Sequence, residues 1–356
     1  MNKLNSIFAV ALLASVFTAC SKDEVDPIIV VPPSDGSTMT LNGIAGTEDG
    51  ASAANSVYVD FSANKQTPVL RSSWDLGFYS GAEFRVIINN STSAGAKVIQ
   101  TANSLTAVGE ADTVGLVLGF NQMSPKAEDF NFYDPINGNI SSTVIPAVSA
   151  TASDNKVIIL NRGTGGGIAA RAWIKLLVTR NATGGYTVHY GTIKQTSGFK
   201  SVDVAKDAGF NFKFVSLTSG TTVNVEPAKA SWDIVWGYSV YETNFGQMVP
   251  YNFSDLIFLN KLGGVTAAQI STDTKSYAAY AEADVASTNF LSNRDEIGSK
   301  WRITSPAASA GVNSKVFYVI KDGAGNVYKL KFNSFHANDA GTRGKPVLEY
   351  KLVKKG

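Results

Sequence analysis

The chain predicts an all-β fold of two tandem, related antiparallel domains, and three observations carry that prediction. The first is a repeated stretch. Ser73-Trp74-Asp75-Leu76-Gly77-Phe78 returns as Ser231-Trp232-Asp233-Ile234-Val235-Trp236, with the tryptophans 158 residues apart (232 − 74). The second is that the flanks repeat as well. Val57 to Ser62 precedes the first copy as Phe212 to Leu217 precedes the second, and Lys156 to Asn161 is answered by Lys315 to Ile320 at an offset of 159 (315 − 156). Matched blocks in one order at a near-constant offset mark an internal duplication, and a period this long makes each copy a domain. The third is the local pattern: short runs of β-branched and aromatic residues are divided by glycine, asparagine and proline turn signals.

The N-terminus sets the compartment. Lys3 precedes an apolar run from Ile7 to Phe17, too short to span a bilayer as a helix and of the form of a secretory signal. Thr18-Ala19-Cys20 follows, and Cys20 is the chain's single cysteine. Small residues before a cysteine at this point resemble a bacterial lipobox. That resemblance implies a lipoprotein signal peptide over 1–19, acylation of Cys20 and a lipid anchor in the outer membrane. Ser21-Lys22-Asp23-Glu24 resembles the surface-export signal of Bacteroides-type lipoproteins. Residues 20–50, with Pro27, Pro32, Pro33 and Gly36, then read as the lipidated cysteine and a flexible tether. With Cys20 on lipid, no disulfide is available and the domains rely on their cores.

Composition narrows the function classes. Hydrophobic residues make up 44 % and charged residues 17 %, which suits packed globular domains. A formal net charge of +2 leaves no broad basic field, so nucleic acid is not an expected partner.

The first domain is placed at 51–205. Val57 to Phe61 reads as a strand, and Phe84 to Ile88 and Lys97 to Ile99 read as a hairpin about the turn Asn89 to Gly95. Glycines and prolines break up 103–155, after which Lys156 to Leu160, Ala172 to Thr179 and Thr187 to Tyr190 are strands. The polar run 194–210 reads as a linker, with the boundary near 205. The second domain, 206–356, runs the same course through Phe212 to Leu217, Thr222 to Val225, the tryptophan strand and Leu256 to Leu259. Within the alanine-rich run 264–290 a short helix is expected to start at Thr266. Val316 to Ile320, Val327 to Phe332 and Val347 to Val353 close the domain.

Chemistry is sparse. There is no Gly-x-Ser-x-Gly elbow, no His-Glu-x-x-His and no phosphate-cradling glycine loop with its lysine, which argues against an enzyme. Trp74 and Trp232 are expected to anchor cores with each indole N–H meeting a carbonyl. Asp75 and Asp233 are expected to bond backbone N–H groups. Trp236 and Tyr238 alternate along one strand and form a candidate aromatic platform for a porphyrin or a sugar ring.

The second copy resembles the HmuY-type haem-binding lipoproteins over most of its length. The resemblance rests on Ala230-Ser231-Trp232-Asp233, on the closing unit Ser314 to Val319 and Gly325 to Phe332, and on Val347-Leu348-Glu349-Tyr350. The first copy matches more loosely, through Trp74-Asp75, Phe84 to Lys97 and Lys156 to Leu160. The resemblance implies β domains that hold haem in a surface cleft and work with an outer-membrane haem transporter. It also implies two axial side chains on the iron, a histidine pair or a methionine pair. Beyond the tether the chain offers Met123, His189, Met248 and His336 as candidate haem ligands, one histidine and one methionine per copy. The histidines are not equivalent, since His189 falls opposite Glu349 and His336 opposite Leu177. The expected function is therefore a surface lipoprotein that binds haem or a related hydrophobic ligand for uptake. The alternative is an adhesion or carbohydrate-interaction module that keeps the fold without the ligands.

Overall fold

Strand pairing between the two repeats ties together the sheets of the computed structural model, which describes residues 32–356. Cys20 and the signal over 1–19 lie outside the described residues. The first repeat supplies β1 (Gly36–Thr40), β2 (Asn55–Asp60), β3 (Lys65–Leu70), β4 (Leu76–Tyr79), β5 (Val86–Ile88), β6 (Gly95–Ile99), β7 (Val157–Asn161), β8 (Ile174–Arg180) and β9 (Tyr186–Thr192). The expected linker before 206 contributes β10 (Lys200–Val204), and the second repeat supplies β11 (Phe212–Ser216), β12 (Thr221–Val223), β13 (Ile234–Asn244), β14 (Met248–Leu259) and β15 (Thr266–Ser271). After a short helix α1 (Glu282–Val285) come β16 (Arg302–Ile303), β17 (Gly311–Val312), β18 (Val316–Lys321), β19 (Val327–Ser334) and β20 (Val347–Lys354).

The strands do not stay within their own copy. Two four-stranded sheets run β14-β13-β2-β3 and β12-β11-β4-β5, and two five-stranded sheets run β1-β20-β19-β18-β15 and β10-β9-β8-β7-β6. In three of these four sheets, strands from the start of one repeat join strands from the body of the other, while β10-β9-β8-β7-β6 lies within 51–205. Strands β4 to β12 thus make two complete sheets from one continuous stretch, while β1 to β3 complete the sheets of β13 to β20. Pro33–Gly356 form one compact unit.

Side-chain alternation stacks these sheets in four layers. Along β2, Val57 and Val59 turn one way, into a core with Ile234, Trp236 and the five-stranded sheet's Tyr318, Ile320 and Leu330. Tyr58 turns the other way and joins Phe212, Phe214, Val225 and Trp232 between the two four-stranded sheets. On the far side Leu76, Phe78 and Val215 pack against Ile158, Leu160, Leu176 and Val188 of the other five-stranded sheet. The inner strands are buried on both faces, so β2 carries an almost unbroken buried run.

Two pairs of equivalent contacts lock the exchange, and a third pair braces each tryptophan segment from within its own repeat. Trp74 meets Phe214 edge-on at 4.8 Å, and Trp232 meets Tyr58 edge-on at 5.1 Å. The Asp75 carboxylate accepts the Leu217 N–H (2.8 Å), and the Asp233 carboxylate accepts the Phe61 N–H (2.7 Å). Asn89 donates its side-chain N–H groups to the carbonyls of Arg71 and Trp74, as Asn260 does to those of Lys229 and Trp232. The expected backbone-bonding role of the two aspartates holds, with partners in the opposite repeat. The expected carbonyl partner of Trp232 does not form, and its indole N–H is buried without one.

Several local expectations change once each strand's partner is known. Part of the expected tether is strand β1, which pairs with β20 from Gly36↔Lys351 to Thr40↔Val347 and points Met39 and Leu41 into the core. The expected linker contains β10, paired with β9 from Lys200↔Tyr190 to Val204↔Tyr186. The hairpin expected over 84–99 does not form: β5 pairs with β4, β6 pairs with β7, and Asn89 caps a 3-10 turn that carries the chain from one sheet to the next. The helix expected at Thr266 is strand β15, whose Ala267 and Ala268 are small enough to be buried on both faces, and the helix comes later as α1.

Candidate functional site

The two histidines are held in the outermost layers of the stack. His189 lies on β9 between Leu177 and Ser201, half-buried on the face opposite Val188 and Tyr190. His336 follows β19 and caps the 3-10 turn Ala337–Asp339, its Nδ1 accepting the Asn338 N–H at 3.3 Å. Three sheet-to-sheet spacings of about 10 Å separate those layers. The fold does not bring the histidines together.

The methionines behave differently. Met123 stands in the tight turn from Asn121 to Ser124 and is 90 % exposed. Met248 opens β14 and is 44 % exposed. The Asn252 backbone N–H donates to Gln122 Oε1 at 2.9 Å, which docks the Met123 turn of the first repeat on the Met248 strand of the second. Asn252 is four residues along β14 from Met248, about 13 Å at ~3.3 Å per residue. Two exposed thioethers, one from each repeat, thus stand on adjoining segments. Phe245 is also exposed at the tip of this hairpin, edge-on to Tyr251 at 5.8 Å.

The aromatic platform expected from Trp236 and Tyr238 does not exist. Trp236 is 1 % exposed, sealed between two sheets, and any Cβ on Gly43 would collide with its ring. The pairing of β13 with β2 ends at Trp236, and the β13–β14 hairpin continues alone over the first repeat. Tyr238 therefore leaves the core and is half-buried beneath the Arg71 guanidinium, 4.8 Å from its ring centre.

A polar groove of about 390 Å³ opens at this crossing, walled by the glycine loop Gly163–Gly167, by Leu118 to Gln122 with Tyr133, and by Ser93, Tyr238 and Asn252. Ser93 Oγ donates to Asn252 Oδ1 at 2.5 Å, a further bond between repeats. Beneath lies Arg71. Its Nε donates to Ala53, Nη1 to Ser91 and Gly165, and Nη2 to Ser52 and Gly166, so carbonyls alone satisfy it. Burial lowers its pKa to about 10. Gly166 has φ +67°, and a Cβ there would stand 2.4 Å from Arg71 Nη2, so both backbone and space require glycine. The glycine run carries a sequence signal for a turn. Nothing in the sequence ties Arg71, Ser93 or Asn252 to it.

A second cavity, of about 100 Å³, lies where the two four-stranded sheets meet, with Asn90, Asp134, Glu226, Trp232 and Arg294 on its walls. Burial pushes the Asp134 carboxyl up to about 7 and the Glu226 carboxyl up to about 8. Among the described residues, no group of three or more His, Cys, Asp or Glu is arranged to hold a metal ion. No helix among them is long and apolar enough to cross a membrane.

Comparison with known families gives one match. The family model described as HmuY protein matches residues 52–175 and 210–350, one segment in each repeat and together more than half of the chain. No curated protein and no solved structure matches.

Proposed function

The chain belongs to the HmuY family, and from that premise we propose that it captures haem at the cell surface, with Met123 and Met248 as the residues that would hold the iron. The observation that carries this reading is the Gln122–Asn252 hydrogen bond, which docks the turn bearing the exposed Met123 of one repeat on the strand that opens with the exposed Met248 of the other. The donor chemistry fits, because a methionine thioether is an established ligand of haem iron. The histidines fit as a pair far less well, being held in separate outer layers. Haem would supply the redox-active iron and a large apolar face. The chain's own residues would supply the two sulfurs and, through Phe245 and Tyr251, aromatic surface against the macrocycle. Acylation at Cys20 would keep the protein at the outer membrane, beside a transporter that receives the haem. Haemin titration of the protein tests this. The expected result is a saturable Soret shift with sharp bands on reduction; a spectrum no different from haemin with a non-binding control protein would overturn it.

A second reading rests on the groove above Arg71. Ser93, Tyr133, Asn161, Tyr238 and Asn252 line about 390 Å³ with hydroxyl and amide groups, a surface suited to a hydroxyl-rich ligand such as a sugar. Binding on a glycan panel that Asn252→Ala abolishes, with no haemin response, would favour it.

A further inference from the structure

The small cavity between the four-stranded sheets has the chemistry of a ligand site separate from the haem reading. Its walls come from both repeats: Asn90 and Asp134 from the first, Glu226, Trp232 and Arg294 from the second. Three of their polar atoms are buried without a hydrogen-bond partner, namely Trp232 Nε1, Glu226 Oε2 and Asn90 Oδ1. Trp232 is only 7 % exposed, so water at the surface does not serve its N–H. Asp134 and Asn260 on the same walls are occupied. Asp134 accepts the N–H groups of Ile88 and Val144, at 2.7 and 2.9 Å. Asn260 is taken up by Lys229, Trp232, Asn211 and Gly263.

The charges are equally uneven. Arg294 stacks over Phe258 at 4.0 Å, and its one side-chain hydrogen bond is a long one (3.4 Å) to the Ile136 carbonyl. It and Glu226 act on each other electrostatically across the cavity without meeting as an ion pair. The walls therefore present a cation and an N–H donor, and separately a carboxyl group and an amide oxygen. A buried donor or acceptor left unmatched costs about 1–3 kcal/mol, and an unpaired charge costs more.

The geometry points to a site for a small zwitterion of the α-amino-acid class, its carboxylate held by Arg294 and Trp232 Nε1 and its ammonium by Glu226 and Asn90. Size agrees with this. A cavity of about 150 Å³ admits a benzene-sized guest, so about 100 Å³ suits a guest as small as glycine or alanine. The exposed residues Asn139 and Leu262 on its rim give a small molecule a way in.

Calorimetric titration of the purified chain with glycine and with L-alanine tests the inference, with tryptophan fluorescence recorded in parallel to report on Trp232. Acetate and methylammonium, each offering half of the ligand, are the controls. Saturable binding of glycine or alanine with a Kd at or below about 1 mM, absent with either half-ligand, is the expected result. Glu226→Gln is expected to weaken it at least about tenfold at an unchanged melting temperature, while leaving haemin binding alone. If that variant does not fold, Asn90→Ala takes its place. No saturable heat with either amino acid would mean that the cavity holds water only and would overturn the inference. Equal affinity in the folded variant would overturn it too.

Discussion

Asp233 accepts the backbone N–H of Phe61 at 2.7 Å across 172 residues of chain, and this bond fastens the second repeat's tryptophan strand to the first repeat. Asp75 makes the reciprocal bond to Leu217. The surroundings of the two carboxylates then diverge. Asp75 is bidentate to Arg162 at 2.7 and 2.8 Å and lies 3.2 Å from Arg171. Asp233 has Asp60 and Asp322 beside it, and burial together with those neighbours pushes its carboxyl up to about 8.

That difference predicts opposite responses to substitution. Asp233 holds a proton in the folded chain at pH values where the unfolded chain has lost it. Its contribution to stability is therefore largest below about 4 and is lost as pH rises to about 8. Asp233→Asn keeps an oxygen for the Phe61 N–H and removes the titration. The variant is expected to equal the parent at pH 4 and to exceed it at pH 9, by on the order of a few kcal/mol. Urea denaturation at the two pH values measures this, and a parent that is the more stable at pH 9 would refute it.

Asp75→Ala is expected to destabilise at every pH at which the arginines are charged. It strands Arg162 and Arg171 in a buried site, at a cost of about 3–5 kcal/mol. The urea midpoint should fall at pH 5 and pH 8 alike. A loss confined to one end of that range would point to a different cause.

The exchange also predicts which fragments fold. Residues 71–229 contain β4 to β12 and with them two complete sheets. This segment is expected to unfold cooperatively on its own. Residues 206–356, one repeat by sequence, lack β1, β2 and β3 and are expected to remain unfolded or to aggregate through unpaired strand edges. Circular dichroism melts of both fragments decide it; a stable 206–356 fragment would contradict the pairing.

How much of this was legible in the sequence follows from what a duplication can encode. The repeated Ser-Trp-Asp, the strand runs and the β-rich class were readable, because alternation and turn residues act locally. The partner of each strand was not. β2 and β11 occupy equivalent positions, and the alternation of Val57 and Val59 with Tyr58 is met equally by a strand of the same copy or of the other. The same ambiguity hid the site. Met123 and Met248 each stand alone within their own repeat, and only the hairpin β13–β14 laid across the first repeat sets them on adjoining segments. Trp236 and Tyr238 read as one face, but the end of the β2 pairing at Trp236 puts one in the core and the other in the groove.

The central functional claim is that one haem is held by sulfurs from both repeats. The most direct test is the visible spectrum of haemin-loaded protein, oxidised and reduced, for the parent, Met123→Ala and Met248→Ala. Loss of the sharp reduced bands in each single variant, with the melting temperature of the ligand-free protein unchanged, is the predicted result. Retention of the parent spectrum in either variant would contradict it.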